Sequence, residues 1–518
     1  MNETIENTEI KCDERLCAVC GHNCGHSHHA SEIEEKPVSV EDMAAAREER
    51  ASRQKELIEE YGLPVVSFTM NVPGPVKYSK AIENCFNVGV EELKKALFGF
   101  NAKLVREEYR ISHTGCEGML VFKGPGARLI KAAAVKVEDR YAFSRLFDID
   151  VIDKNGEKLS RAKPRKCLVC DKTASVCARS RAHSLDELKK ATDALLREAA
   201  AYAAGMAAFD ALIAEVTTTP KPGLVDRVNN GANKDMDIEL FEKSAETLAP
   251  YFYSMAYTAA DTEADPSGHA DGCSQDEGVN CADCPSHESC TLEHGASLMT
   301  KLTILGVEAE AKMKQATGGV NTHKGAIFCM GLLVSAYAKL VAEGKSHEPL
   351  DVAEEAKRLA ALRPDPGRGT NGAEAREKYA GDEDPAAVFG ADAQARAGFP
   401  AAVNAYRRIL GFKLMGFDEN DCYALALLGI MAELFDTNAY KRAGREGAAF
   451  VRKRAAEIQA MPLSKRLPEA VVFDRELIER NINCGGAADM LAAAIFFDKI
   501  APYSDRRGEY THEEEHSH

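Results

Sequence analysis

The spacing of apolar and polar positions changes character once along the chain, near residue 184. Before that point, short β-branched and aromatic runs mix with helical stretches. A charged helix is predicted over 41–62 (EDMAAAREERASRQKELIEEYG), followed by LPVVSFTMNVPG, whose apolar run bounded by proline and glycine reads as a strand. Further strands are predicted over Gly118–Lys123, Ala132–Glu138 and Leu146–Ile152. After Ser184 an alanine-rich helical pattern runs from Leu185 to Val216. Similar helices recur near 240–257, 292–316, 325–343, 420–435, 446–460 and 487–500, with almost no strand signal. The expected fold is multidomain: an N-terminal α+β domain over 41–190, then a larger, nearly all-α domain over 191–505. Residues 1–40 and 506–518 read as polar tails, and two long polar interruptions, 261–294 and 363–398, fall in the helical part.

Composition fits that division. A chain of 518 residues exceeds the size at which one core keeps growing, and 45% hydrophobic with 28% charged residues suits soluble globular domains. A net charge of −16 argues against a grip on nucleic acid over the whole surface, so any polyanion site must be local. The acidic N-terminal stretch lacks a signal-peptide pattern, and the apolar run Gly325–Tyr337 is too short to span a bilayer, which makes the cytoplasm the expected location.

Sixteen cysteines then point to thiols, metal ligands or catalysis rather than a disulfide framework. Cys12, Cys17, Cys20 and Cys24 lie among four histidines in the tail. Cys167, Cys170, Cys177 and His183 are spaced C-x2-C-x6-C-x5-H, close to small zinc knuckles. Cys273, Cys281, Cys284 and Cys290, near His269, His287 and His294, could hold zinc or an iron–sulfur cluster. The tail cluster can bind zinc or nickel, or merely scavenge metal, and at the other two clusters the alternative is reduced thiols.

In SRLFDIDVID, Asp148 and Asp150 lie two apart on a strand, so both carboxylates share a face and can hold Mg²⁺ against phosphate oxygens. Arg161, Lys163, Arg165, Lys166, Arg179 and Arg181 follow, a cationic stretch that suits a triphosphate, with a solvated basic face as the plainer reading. LPVVSFTMNVPGPVKYS, HTGCEGML, RLFDIDVID, LSR and RKCLVC…ASVCARSRAH, in order over about residues 45–190, together resemble holo-citrate lyase synthase. The resemblance implies a nucleotidyltransferase-like domain. It would move phosphoribosyl-dephospho-CoA from its triphosphate precursor to a serine of the apo acyl-carrier (gamma) subunit of citrate lyase, releasing pyrophosphate. His113 is a candidate base there, although a structural role suits it better.

In the helical half, Pro220 and Pro222 stiffen EVTTTPKPGLVDRVNNGANKDMD around Lys221, with Asp226, Asn229 and Asp235 as candidates and Asp237 better read as a helix cap. TGGVNTHKGAIF sets Gly318, Gly319, Asn321, His323 and Lys324 before an apolar helix, where start-of-helix amides favour anions. DTNAYKRAG adds Asp436, Asn438 and Arg442, and NINCGGAADM adds Gly485, Gly486 and Asp489; the acids could equally be capping residues. These four ordered motifs resemble triphosphoribosyl-dephospho-CoA synthase over about 190–502. That family joins ATP to dephospho-CoA and expels adenine. The resemblance implies Lys221, His323, Lys324 and Arg442 for phosphates, and Asp226, Asp235, Asp436 and Asp489 as metal or catalytic carboxylates. The chain departs from the family pattern at Ala443, in place of the middle glycine of R-G-G after DTN, and at Ala487, in place of serine in G-G-S-A-D. Rival readings are the equivalent pathway of malonate decarboxylase and a metal-binding or metal-sensing module.

Overall fold

A computed structural model describes residues 33–261, 287–363, 377–378 and 390–501. The N-terminal part contains α1 (Val40–Tyr61), β1 (Val65–Met70), α2 (Lys80–Phe98), β2 (Lys103–Ser112), β3 (Gly115–Lys123) and α3 (Ala127–Glu138). A short turn of 3₁₀ helix (Phe143–Leu146) then leads into β4 (Phe147–Ile152). The four strands form one antiparallel sheet in the order β2-β3-β1-β4. Strand alternation sorts their side chains. Val66, Phe68, Leu120, Phe122, Ile149 and Val151 meet Phe86 and Leu93 of α2 and Ile130 and Val137 of α3. On the opposite face Val65, Met119 and Val121 take Leu57 of α1. Arg50 of α1 also reaches the buried Glu117 at 2.6 Å.

Ala132–Glu138, expected as a strand, is the second half of α3. Its buried positions, Ile130, Ala133, Ala134 and Val137, recur at helical spacing, and the two valines of a short run imitated a strand. Helix α3 lies along the outer edge of β4 and satisfies it. Glu138 Oε1 accepts from Ile149 N (2.9 Å) and Lys131 Nζ donates to Ile149 O (2.7 Å). An edge strand so covered has no free ladder to pair with another chain there.

After α4 (Ala174–Ser180) the chain is helical: α5 (Leu185–Thr217), α6 (Ile238–Ala260), α7 (His287–Ala316), α8 (Lys324–Ala342), α9 (Pro349–Ala361), α10 (Gly390–Arg396), α11 (Pro400–Leu414), α12 (Glu419–Glu433), α13 (Thr437–Gln459), α14 (Leu463–Glu479) and α15 (Gly485–Ile500). Helix α5 is the axis. Its stripe Ala200, Ala204, Ala208, Ala211 is buried in the helical core, and Gly205 lets α6 in so closely that a Cβ there would meet Tyr253 N at 3.1 Å. Earlier along the same helix, Leu195, Leu196 and Ala199 complete the core under the sheet, and Tyr202 Oη donates to Glu92 (2.9 Å). Helix α8 is longer than the apolar run that marked it. Both α5 and α8 are long and apolar enough to cross a membrane, and 61% and 78% of their most apolar stretches are buried among other helices.

Candidate active sites

The first centre lies on β4. Asp148 and Asp150 stand opposite Thr69 and Ser67 of β1, on the sheet face that α1 covers over β1 and β3. Both carboxylates are partly exposed, and each has a basic partner. Arg165 Nη2 donates to Asp148 Oδ1 at 2.8 Å, and Lys158 lies 2.5 Å from Asp150 Oδ2. Arg165 also donates to Phe147 O (2.8 Å) and contacts Glu138. Burial pushes the Glu138 carboxyl up, against the pull of Arg165, the amide of Ile149, Lys131 and Arg161. Burial likewise pushes the Lys131 ammonium down. Of the arginines expected at a triphosphate, Arg165 belongs to this centre and Arg161 is held by Asp139 (2.8 Å) and Glu138 (3.3 Å). Arg179 and Arg181 stand exposed on and just after α4. His113 occupies the β2–β3 turn, 4.0 Å from Asp42, and Lys158 and Glu138 are partners that pattern reading missed.

Beside this centre, Cys167, Cys170, Cys177 and His183 come together as their spacing predicts, one ligand atom from each lying within 4.8 Å of the others. Burial works against ionising Cys167, yet the amides of Cys170 and Val169 and the thiols of Cys177 and Cys170 outweigh it and bring its thiol down to about 7. The tail cluster (Cys12, Cys17, Cys20, Cys24) lies outside the described residues, as do Cys273, Cys281, Cys284 and His269, while Cys290, His287 and His294 fall in the opening turns of α7.

The second centre forms where the starts of α8, α13 and α15 meet the loop after α5. Asp436 caps α13: its Oδ1 accepts from Asn438 N (2.8 Å) and Ala439 N (3.1 Å), while Oδ2 accepts from Ala487 N (2.8 Å) in α15. That last bond uses the backbone, so alanine serves where the family pattern has serine. Gly486 admits this carboxylate, since a Cβ there would lie 3.0 Å from Asp436 Oδ2. Gly325, in the first turn of α8, leaves room for Asp489, whose carboxylate a Cβ would strike, and a Cβ on Gly485 would strike Asn438. Gly444 bends α13 with φ +65°, so the kink after DTN survives the change to Ala443.

Lys221 is buried and pairs with Glu215 Oε1 at 2.5 Å, so it meets a carboxylate before any phosphate. Burial pushes the Glu215 carboxyl up in spite of that lysine. Asp489 keeps a partial opening to solvent in crowded surroundings; burial first, then Glu215 and Asp436 nearby, hold its carboxyl well above the usual range. His323 is buried and neutral, its imidazole pushed down to about 3 by burial and by Lys221. Thr322 Oγ1 donates to Ser244 Oγ (2.8 Å), which also hydrogen-bonds His323 Nδ1 (2.7 Å), while His323 Nε2 is buried with no hydrogen-bond partner among the described residues.

Several candidates bond within the loop. Asp226 accepts from Val228 N (2.7 Å) and Asn229 N (3.0 Å), and Arg442 ties down Ala232 O (2.9 Å) and Asn233 (3.1 Å). Asp237 caps α6 as expected (2.9 Å to Leu240 N), and Asp235 is exposed. Lys324 is exposed and pairs with Glu310 at 3.1 Å, while Asn321 accepts from the Lys324 amide and Gly319 takes φ +95° in the turn before it. Glu215 and Asp474 were not singled out from the sequence. Asp474 accepts from Gly223 N (2.8 Å) and Asn229 Nδ2 (2.9 Å). The available signal was one acid on an otherwise apolar helix stripe: Glu215 follows Ala204, Ala208 and Ala211, and Asp474 lies between Ala470 and Leu477.

Two separate centres, each combining carboxylates with cations or helix starts, define a two-part group-transferring protein. Residues 38–199 match the family described as apo-citrate lyase phosphoribosyl-dephospho-CoA transferase, and residues 201–507 match ATP:dephospho-CoA triphosphoribosyl transferase. The protein CitXG of Haemophilus influenzae is 31% identical over 490 residues, spanning 89% of this chain and 96% of that protein. CitXG of Leuconostoc mesenteroides subsp. cremoris is 28% identical over 485 residues (88% and 95%). The 2-(5''-triphosphoribosyl)-3'-dephosphocoenzyme-A synthase of Klebsiella pneumoniae is 34% identical over 297 residues, 56% of this chain and 91% of its own. The chain therefore belongs to the ATP:dephospho-CoA triphosphoribosyl transferase family, with the apo-citrate lyase transferase fused ahead of it. It is a transferase that makes and attaches the citrate lyase prosthetic group, and the match over 38–199 favours this branch over malonate decarboxylase or a metal-sensing module.

Proposed function

We propose that the helical centre joins ATP to dephospho-CoA and the sheet centre then loads the product onto the acyl-carrier subunit of citrate lyase, in the cytoplasm. At the anomeric carbon of the ATP ribose, the bond to adenine breaks and a bond to a ribose hydroxyl of dephospho-CoA forms. Asp489, whose carboxyl burial and the nearby Glu215 and Asp436 push up, gives its proton to the leaving adenine, and Glu215 takes the proton of the attacking hydroxyl. Lys221 holds Glu215 in place. The unpartnered Nε2 of His323, the Lys324 ammonium and the first amides of α8 are the groups offered to the triphosphate. The observation that carries this reading is the convergence of Glu215 at the end of α5 and Lys221 in the loop after it with His323, Asp436 and Asp489 at the starts of α8, α13 and α15.

In the second step, of nucleotidyltransferase type, the carrier serine attacks the α-phosphate and pyrophosphate leaves. Asp148 and Asp150, on one face and partly exposed, fit a Mg²⁺ ion, which would neutralise charge on the departing pyrophosphate. Arg165, Lys158 and the exposed Arg179 and Arg181 supply further positive charge. The Cys167, Cys170, Cys177, His183 cluster suits Zn²⁺.

Incubating the protein with ATP, dephospho-CoA, Mg²⁺ and apo carrier should release adenine and pyrophosphate and add the prosthetic-group mass to the carrier. Asp489→Asn should load supplied precursor but release no adenine, and Asp148→Ala should do the reverse. If each variant lost both activities, separate centres would be ruled out.

A further inference from the structure

The segment 165–183 has little apolar surface with which to fold. Its buried side chains include Cys167 and Cys177, while Val169 and Val176 are exposed by 37% and 56%. Small segments of this kind take their order from a metal when four ligands converge. Here three thiols and one imidazole do so, with all four ligand atoms inside 4.8 Å of one another. The sulfurs of Cys170 and Cys177 are 3.6 Å apart. That separation is far too long for a disulfide and close to the ~3.7 Å edge of a tetrahedron with Zn–S bonds of about 2.3 Å. His183 presents a buried Nε2 that no protein group satisfies.

We infer that Cys167, Cys170, Cys177 and His183 bind one zinc-class cation, and that this metal is a positioning element of the loading centre because it fixes the mount of Arg165. The second half of this inference rests on the loading reading above. Arg165 lies two residues before Cys167, and its carbonyl accepts from Ala174 N (2.9 Å) at the start of α4. Cys167 N donates to Lys172 O (2.8 Å), Lys166 pairs with Thr173, and Arg145 reaches Cys167 O (3.4 Å). The ligand set closes this frame, since Cys177 sits on α4 and His183 just beyond it. From the frame the Arg165 guanidinium spans Phe147 O and Asp148 Oδ1, both at 2.8 Å, and so sets the carboxylate that would meet Mg²⁺. Partners that orient a metal ligand typically change metal affinity about 10–100-fold when lost.

The test uses the full chain. Metal content per chain is measured by plasma mass spectrometry for the wild type, Cys170→Ser and Cys170→His, so that other cysteine clusters cancel in the comparison. Cys170→Ser should lose one equivalent, and Cys170→His, which restores a ligand, should keep it. With supplied precursor and apo carrier, Cys170→Ser should need about 10-fold more Mg²⁺ for half-maximal loading. Its adenine release should match the wild type, showing that the chain is folded. Equal metal in wild type and Cys170→Ser, or a Cys170–Cys177 disulfide on thiol mapping, overturns the site. One equivalent lost with unchanged Mg²⁺ dependence overturns the positioning role. A wild type that loads no carrier sinks the loading reading, while the metal count still decides the site.

Discussion

At the residue scale, Asp489 sets chemistry against stability. Burial first, then the nearby Glu215 and Asp436, hold its folded carboxyl well above the usual carboxylate range, so the folded state keeps its proton longer than the unfolded chain does. The group therefore favours folding below its unfolded value and loses that contribution as pH rises through its folded one. His323 works in the other sense: lowered from 6.5 to about 3, it costs stability as pH falls below 6.5. Asp489→Asn removes the first effect and leaves the second. The variant's melting temperature should match the wild type near pH 4 and exceed it by pH 7.5, at about 2–4 °C per kcal/mol for a domain of this size, while adenine release is lost. A constant difference across that range would refute the raised carboxyl. Gly325→Ala makes the complementary prediction: a Cβ on the Asp489 carboxylate should displace it and lower adenine release roughly 100-fold, with loading of supplied precursor intact. The glycine-containing motifs made most of these positions visible in the sequence. Glu215 and Asp474 were hidden because a buried acid on a helix is conspicuous only once its buried face is known.

At the element scale, the proposed loading centre depends on how an edge strand is covered. The Asp148/Asp150 pair was legible because strand alternation alone puts both on one face. The helix beside it was not, since KAAAVKVE is too short for periodicity to separate helix from strand. Helices α2, α9, α11 and α14 and strand β2 also escaped the pattern. In β2, charged side chains such as Arg106, Glu107 and Glu108 leave only a faint alternation. Glu138 is where α3 and β4 meet, buried and shared by Ile149 N, Arg161 and Arg165. Glu138→Gln keeps an acceptor for Ile149 but removes the charge that both arginines face. The expected cost is about 1–3 kcal/mol, read as a lower urea midpoint, together with loss of loading. An unchanged midpoint would mean that Asp139 and Asp148 alone suffice to hold the two arginines.

At the scale of the whole molecule, the two enzymes share a helix rather than a linker. The sequence pattern put a boundary near 190, where strand signals end, and the two family matches meet at 199 and 201. An alanine-rich helix is apolar on several sides, so its pattern does not say which core each turn enters. In the structure, Leu195, Leu196 and Ala199 fill the sheet domain's core, Tyr202 bonds to Glu92, and the helical core takes over from Ala200. A fragment of residues 33–190 would lack both leucines. Each contributes about 1.5–3 kcal/mol on burial, against the 5–15 kcal/mol that typically separates folded from unfolded domains. That fragment should bind a hydrophobic dye and unfold without a cooperative transition. A fragment of residues 33–204, which adds the leucines and Tyr202, should unfold cooperatively in urea and load supplied precursor onto the carrier. Equal urea midpoints for the two fragments would show that the shared helix is dispensable to the loading enzyme. A cooperative 33–204 fragment beside a molten shorter one would instead show that the first enzyme is completed by the opening turns of the second.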